Sequence, residues 1–233
     1  MRAGMSGSGK AMRDEGNTAE RRTAWLVIAL VAAFAVAAIA VQALRREYDW
    51  WHAPLSFYLA GPHGGWLVAA YCLLGAGLAA LALAVRDVTA PAARYALTPA
   101  LFVGGGASLV VTAFWPGSSP GHPADALGEL VHGLSAVASF LLVGLGMLLQ
   151  SLGLLRDPGW RGAAKPLVAL AALAFIALWT HVLWRELPRG ASQKAVIALY
   201  LLWALLLAWR LRGRATAPES ASAPASRAAP EPH

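Results

Sequence analysis

"WLVIALVAAFAVAAIAVQAL", Trp25–Leu44, carries no charged side chain along its whole length. A bilayer's hydrocarbon core is about 30 Å thick, and a helix rising about 1.5 Å per residue needs roughly 20 apolar residues to cross it. The run is longer than the roughly 7–15 residues of a signal-peptide core, so it reads as an uncleaved anchor. Five further runs of the same kind follow at Trp66–Val85, Tyr95–Phe114, Leu130–Leu155, Pro166–Trp184 and Ala195–Leu211. The third is interrupted by Pro99 and by Gly104-Gly105-Gly106, which membrane helices tolerate where neighbours cover the backbone. The fourth is long enough to tilt, and the sixth is the shortest.

The predicted fold class is therefore all-α: a polytopic integral membrane protein, a bundle of six transmembrane helices. Composition agrees, with 58% hydrophobic and only 13% charged residues, where soluble domains carry about 25% charged. Three segments are expected. Residues 1–23 form a basic, disordered N-terminal tail, 24–212 the six-helix domain, and 213–233 a disordered Ala/Pro/Ser-rich C-terminal tail.

With six spans both tails lie on one side. That side, with the loops 86–94 and 156–165, holds 14 of the 19 Lys and Arg, against 5 in the other three loops. The positive-inside rule then predicts cytoplasmic termini. It also assigns the net charge of +7 to anchoring, so no nucleic-acid partner is expected. Trp50, Trp51, Trp66, Trp115, Trp179 and Trp184 would mark the outer interface, and Trp25, Trp160 and Trp209 the inner one. Cys72 is the single cysteine. It rules out an intramolecular disulfide or a thiolate zinc cluster and reads as a small buried residue.

Two motifs fail on context. Gly4–Ala11, "GMSGSGKA", has phosphate-loop spacing, but Ala11 stands where a magnesium-binding Ser or Thr is needed and no strand precedes it. "GAGLAA", Gly75–Ala80, resembles a dinucleotide fingerprint but lies inside an apolar span. Gly104/Ser108 and Ser135/Ser139 are small-residue pairs suited to helix packing within the chain, with a homo-oligomer as the alternative use.

The chemistry concentrates in the outer loops. "FWPGSSPGHPADALGELVHG", Phe114–Gly133, places Pro123 at an expected first helical position and Asp125 in the first turn. Asp125, Glu129 and His132 then fall at i, i+4 and i+7 on one helix face. His52 and Ser56 lie in the first outer loop, His181 near the outer end of the fifth span, and Arg185 and Glu186 just beyond it. These eight residues are the candidate site: an outward-facing polar pocket. Intramembrane ionisable groups usually face a bundle interior or a wet cavity. The bland alternative is that polar residues near helix ends snorkel or hydrogen-bond across helices.

Four functions compete. The first is non-enzymatic binding of a lipid or small molecule. The second is a metal-dependent intramembrane hydrolase, with His52, His132, His181 and the carboxylates holding zinc. The third is haem between His132 and His181, and the fourth a small transporter. The spacing matches no metal signature, Glu129-Leu-Val-His132 being one Glu-x-x-His element where a di-iron bundle needs two. The expectation therefore leans away from an enzyme, with no cofactor and no metal. The expected partners are the lipid bilayer and a lipid or small-molecule ligand.

"SFYLAGPHGGW", Ser56–Trp66, "FWPGSSPGHPADALGELVHGLSAVASF", Phe114–Phe140, and Arg185-Glu186 before a Leu/Trp-rich last helix together resemble the bacterial six-helix membrane family known as domain of unknown function 998. The resemblance covers about residues 25–211. Its Asp and His match Asp125 and His132, while its Phe-Pro element is interrupted here as Phe114-Trp115-Pro116. The resemblance implies a bacterial plasma (inner) membrane and brings no activity with it. More loosely, the layout is similar to eukaryotic Frag1/DRAM-type six-helix proteins, whose roles touch lipid handling.

Overall fold

The computed structural model describes the backbone of residues 5–214, with side chains from Gly16 onward apart from Asn17. Six helices run along it: α1 Met5–Leu44, α2 Gly64–Val88, α3 Leu97–Phe114, α4 Ala126–Leu154, α5 Arg161–Leu183 and α6 Arg189–Arg214. Each contains a stretch long and apolar enough to cross a membrane, in α1 from Thr18 onward. Short 3-10 turns at Leu55–Leu59, Pro91–Ala93 and Pro158–Trp160 lie in the connections. The fold is all-α among the described residues.

Each helix packs on the next in sequence, and α6 closes on α1. The bundle is thus a ring in chain order, as short connections between antiparallel neighbours favour. Both ends of the described chain lie on one side, here the termini side; the loops 45–63, 115–125 and 184–188 make the far side. Val36, Ile39, Leu134, Val137, Ile176 and Leu202 are exposed on the ring's outer surface. In water such a surface would be a liability, whereas in lipid it costs nothing.

Small residues bring the helices together. Gly75 of α2 and Gly106 of α3 meet backbone to backbone, and a Cβ on either would lie 2.7 or 2.6 Å from the other's carbonyl oxygen. Gly77, the other glycine of the apparent dinucleotide motif, abuts Leu30 of α1. Gly105 packs on Val143, and Thr112 Oγ1 donates to Ser135 Oγ at 2.9 Å, fastening α3 to α4. Glycine in a helix loses propensity, but close approach between membrane helices is what small residues permit. Gly104–Gly106 and Ser135 therefore serve packing within the chain, and α3 stays continuous through the glycines.

Several boundaries differ from the sequence expectation. The segment 1–23, expected to be disordered, is helical from Met5 onward. The long apolar span supplies the nucleus, and adding a residue to an existing helix is far easier than starting one. α6 begins at Arg189 rather than Ala195 and is not the shortest helix; α3 is. α5 begins at Arg161, so Pro166 sits inside it. Residues 215–233, expected to be a disordered tail, lie outside the described residues. The interface tryptophans are exposed as expected except Trp160, which is 2% exposed, beneath Arg214.

Candidate functional site

The ring encloses a cavity opening among α1, α2, α3, α4 and α6, with an empty volume of about 720 Å³, mouth included. Most of its wall is apolar: Phe34, Tyr71, Leu74, Leu78, Leu109, Phe140, Val143 and Ile197. Its polar groups are few. Ser56 from the 3-10 turn, His132 near the start of α4 and Gln193 near the start of α6 come from the far-side ends of their elements. Thr112, Ser139 and Tyr200 are bound elsewhere, Tyr200 donating its hydroxyl to the Phe140 carbonyl at 2.8 Å. No Lys, Arg, Asp or Glu lines the cavity. The expected polar pocket is thus an apolar one with a polar end.

The sequence places these side chains in simple ways. On α4, His132, Ala136, Ser139, Phe140 and Val143 follow the i, i+4, i+7, i+8, i+11 spacing of one helix face. On α6, Gln193, Ile197, Tyr200 and Leu201 do the same. Gln193 Oε1 accepts from the Leu55 backbone N–H at 2.8 Å, which docks the 3-10 turn onto α6 and leaves the amide NH₂ unused. His132 Nδ1 lies 2.9 Å from the Trp115 carbonyl. A carbonyl only accepts, so Nδ1 carries a proton towards it and Nε2 is the ring nitrogen left for another partner.

Away from the cavity lining, Phe102 of α3 and Trp203 of α6 stack with centroids 5.7 Å apart, and Met147 of α4 is fully buried. Trp203 Nε1 donates to Ser151 Oγ at 3.0 Å, and Ser151 in turn donates to the Met147 carbonyl.

Of the eight residues picked out in the sequence, two line this cavity: Ser56 and His132. The others have local tasks. His52 is exposed and paired with Asp49 at 2.5 Å. Asp125 is the N-cap of α4, not a residue of its first turn; its Oδ1 accepts from the Gly128 N–H at 2.7 Å. The expected three-residue stripe therefore shrinks to Glu129 and His132. Both fasten the preceding loop: Glu129 Oε1 accepts from the Ser118 N–H at 2.9 Å, and His132 holds Trp115. A Cβ on Gly117 would press to 2.8 Å from the His132 ring, so this loop lies flat against α4. His181 is buried between α5 and α6, its Nδ1 2.7 Å from Ser192 Oγ and its carbonyl accepting from Arg189. Arg185 and Glu186 are exposed in the α5–α6 connection.

The hydrolase reading needed three ligands on one point. Among the described residues no three His, Cys, Asp or Glu side chains come together as a metal site. His52, His132 and His181 each take a different partner on a different element.

The site residues that sequence reading missed are Gln193, Thr112, Ser139 and Tyr200. None of them is ionised at neutral pH; Thr112, Ser139 and Tyr200 sit inside apolar runs and Gln193 just before one, so ionisable-residue counting passes over them. The facial spacing on α4 and α6 is the signal that points to them.

A second polar cluster ties the far-side loops together. Arg45 is 3% exposed at the end of α1. Its guanidinium donates to Glu47, to the Ala60 carbonyl and to Tyr48 Oη, and Tyr48 donates onward to the Pro120 carbonyl at 3.1 Å. The Arg45 hydrogen bond holds the Glu47 carboxyl below the usual range. Lys194 reaches across to the Trp50 and Ala53 carbonyls and completes the docking of α6.

No curated protein and no solved structure matches the chain. One family model does, over residues 16–210, which takes in α2 to α5 whole and all but the start of α1 and the end of α6. That match spans well over half of the sequence, and the chain belongs to the family described as protein of unknown function (DUF998).

Proposed function

We propose that this protein is a non-enzymatic, multi-pass protein of a bacterial plasma (inner) membrane, with cytoplasmic termini, that binds a neutral amphiphile carrying one apolar chain in its interhelical cavity. The observation that carries the reading is the lining: an apolar wall, a polar end at Ser56, His132 and Gln193, and no Lys, Arg, Asp or Glu. Small-ligand sites are mostly apolar clefts with a few placed polar groups. An ionised headgroup in such a site would lose its hydration with no counter-charge to replace it. A hydroxyl or ester would find an acceptor in His132 Nε2, donors in the Gln193 amide, and both in Ser56.

Binding is favoured over transport by the helices: all six are continuous among the described residues, and no pair of broken helices surrounds the site. The orientation rests on charge. Among the described side chains, the far side pairs Arg45, Arg46, Arg185, Arg189 and Lys194 with five carboxylates, Glu47, Asp49, Asp125, Glu129 and Glu186. The termini side sets ten Lys and Arg against only Glu20, Asp87 and Asp157. That asymmetry is the positive-inside pattern.

The test is native mass spectrometry of the full-length protein with monoacylglycerol and with lysophosphatidylglycerol, which shares the chain but adds a charge. Monoacylglycerol should bind in preference. Filling the cavity by Ala136→Phe, or from the opposite wall by Leu201→Phe, should abolish binding while the melting temperature holds or rises. Undiminished binding in both filled variants would overturn the proposal.

A further inference from the structure

We propose that the cleft between the start of α5 and the end of α6 seats the phosphate headgroup of an anionic membrane lipid. The cleft lies on the termini side, away from the cavity, and its empty volume is about 740 Å³. Trp160, Gly162, Trp209, Arg210, Arg212 and Arg214 form its lining.

Two hydrogen-bond donors in this lining have no acceptor in the protein. Trp160 is 2% exposed, yet its indole N–H is unpartnered, and Arg214 Nη1 is buried without a hydrogen bond. Buried donors are nearly always satisfied, so two orphans in one basic cleft call for an acceptor there, an ordered water or a ligand oxygen. The nearest carboxylate does not serve. Asp157 Oδ1 lies 3.9 Å from Arg214 Nη1, beyond hydrogen-bond reach, and its oxygens already accept from the Gly159 and Ala90 backbone N–H groups.

The missing partner must also be negative. Arg212 lies over the Trp209 ring at 3.7 Å and the Trp25 ring at 4.9 Å, with no carboxylate against it. Arg214 lies 4.9 Å over the Trp160 ring. Flat stacking on indoles holds each guanidinium in place; Arg214 Nη2 donates to the Val88 carbonyl at 3.3 Å, which leaves Arg214 Nη1 and the Arg212 edge in the geometry that phosphate oxygens accept from. Arg210 is exposed with no partner among the described residues. α5 opens into the same cleft without a side-chain cap and without an acidic residue in its first turn, so its dipole adds to the field. The exposed indoles of Trp25 and Trp209 mark this end as the interface level of the bundle. A phosphate at that level is a lipid headgroup rather than a free ion.

The experiment uses the full-length protein in nanodiscs of equimolar phosphatidylglycerol and phosphatidylcholine, with retained lipid read by native mass spectrometry. Phosphatidylglycerol should be retained over phosphatidylcholine. Arg210→Gln and Arg214→Gln should each lower that preference about fivefold. Trp160→Phe, which keeps the ring under Arg214 but removes the N–H, should lower it as well. Arg21→Gln with Arg22→Gln removes twice the charge of either single variant from the same side outside the cleft and should still leave the preference in place. So should the cavity-filling Ala136→Phe, which separates this site from the amphiphile site. Equal retention of the two lipids would overturn the proposal. So would a loss from the Arg21/Arg22 pair as large as from the cleft arginines, which would mean a diffuse field, or displacement of the lipid by inorganic phosphate, which would mean a free-anion site.

Discussion

At the scale of single residues, the far-side loops are held by charge-assisted bonds that respond to acid. Asp49 accepts from His52 Nδ1 and from the Trp51 N–H, and the His52 bond is the larger of the two causes that hold its carboxyl below the ordinary range. Glu47 is lowered in the same direction by Arg45. A carboxyl whose folded pKa is depressed contributes stability that is full above its unfolded value, about 4, and is lost as pH falls through the lower folded value. Limited proteolysis of residues 45–62 at a series of pH values measures this. Protection should be flat above about pH 5 and fall in the acid range, and Asp49→Asn should weaken the acid-side step. An unchanged profile in Asp49→Asn would show that this pair does not hold the loop. The same scale resolves what Glu129 and His132 do in an apolar chain. Both hold the α3–α4 loop against α4, and only His132 also reaches the cavity.

At the scale of elements, assembly turns on the α2–α3 crossing. Gly75→Ala or Gly106→Ala would push a methyl group to within 2.7 Å of a carbonyl oxygen, and backbone cannot yield as a side chain can. Each substitution should cost about 1–3 kcal/mol, read as a lower melting temperature in detergent. Gly65→Ala, where nothing lies within 4 Å, should be close to neutral. Equal effects at all three would contradict the crossing. The helices were legible in the sequence because lipid demands long apolar runs, a constraint that composition alone exposes. Their ends were less so. Arg189–Lys194 are polar, yet they are helical because Gln193 and Lys194 dock on the Trp50–Leu55 backbone, a tertiary contact that no hydropathy window can register. The candidate site was legible only in part, for a related reason. Ionisable residues stand out from an apolar background, but Asp125, Glu129 and His181 are occupied in capping, loop fastening and helix packing. The cavity wall is written in facial spacing and in neutral polar residues, which a count of charges does not see.

At the scale of the whole molecule, the two sides divide the work. The termini side is basic, whereas the far side is charge-balanced and carries the polar end of the cavity. A ring of six helices closed by α6 on α1 leaves one central space, and that space is where a ligand is worth seeking. The most direct measurement is labelling of Ser56→Cys, in a Cys72→Ala background, by a membrane-impermeant maleimide on intact cells. The account predicts that the new thiol reacts without permeabilisation and is protected when monoacylglycerol is added, while a cysteine placed at Arg94 reacts only after permeabilisation. A Ser56→Cys thiol that reacts only in opened cells would reverse the orientation, and one that monoacylglycerol leaves unprotected would contradict the occupied cavity.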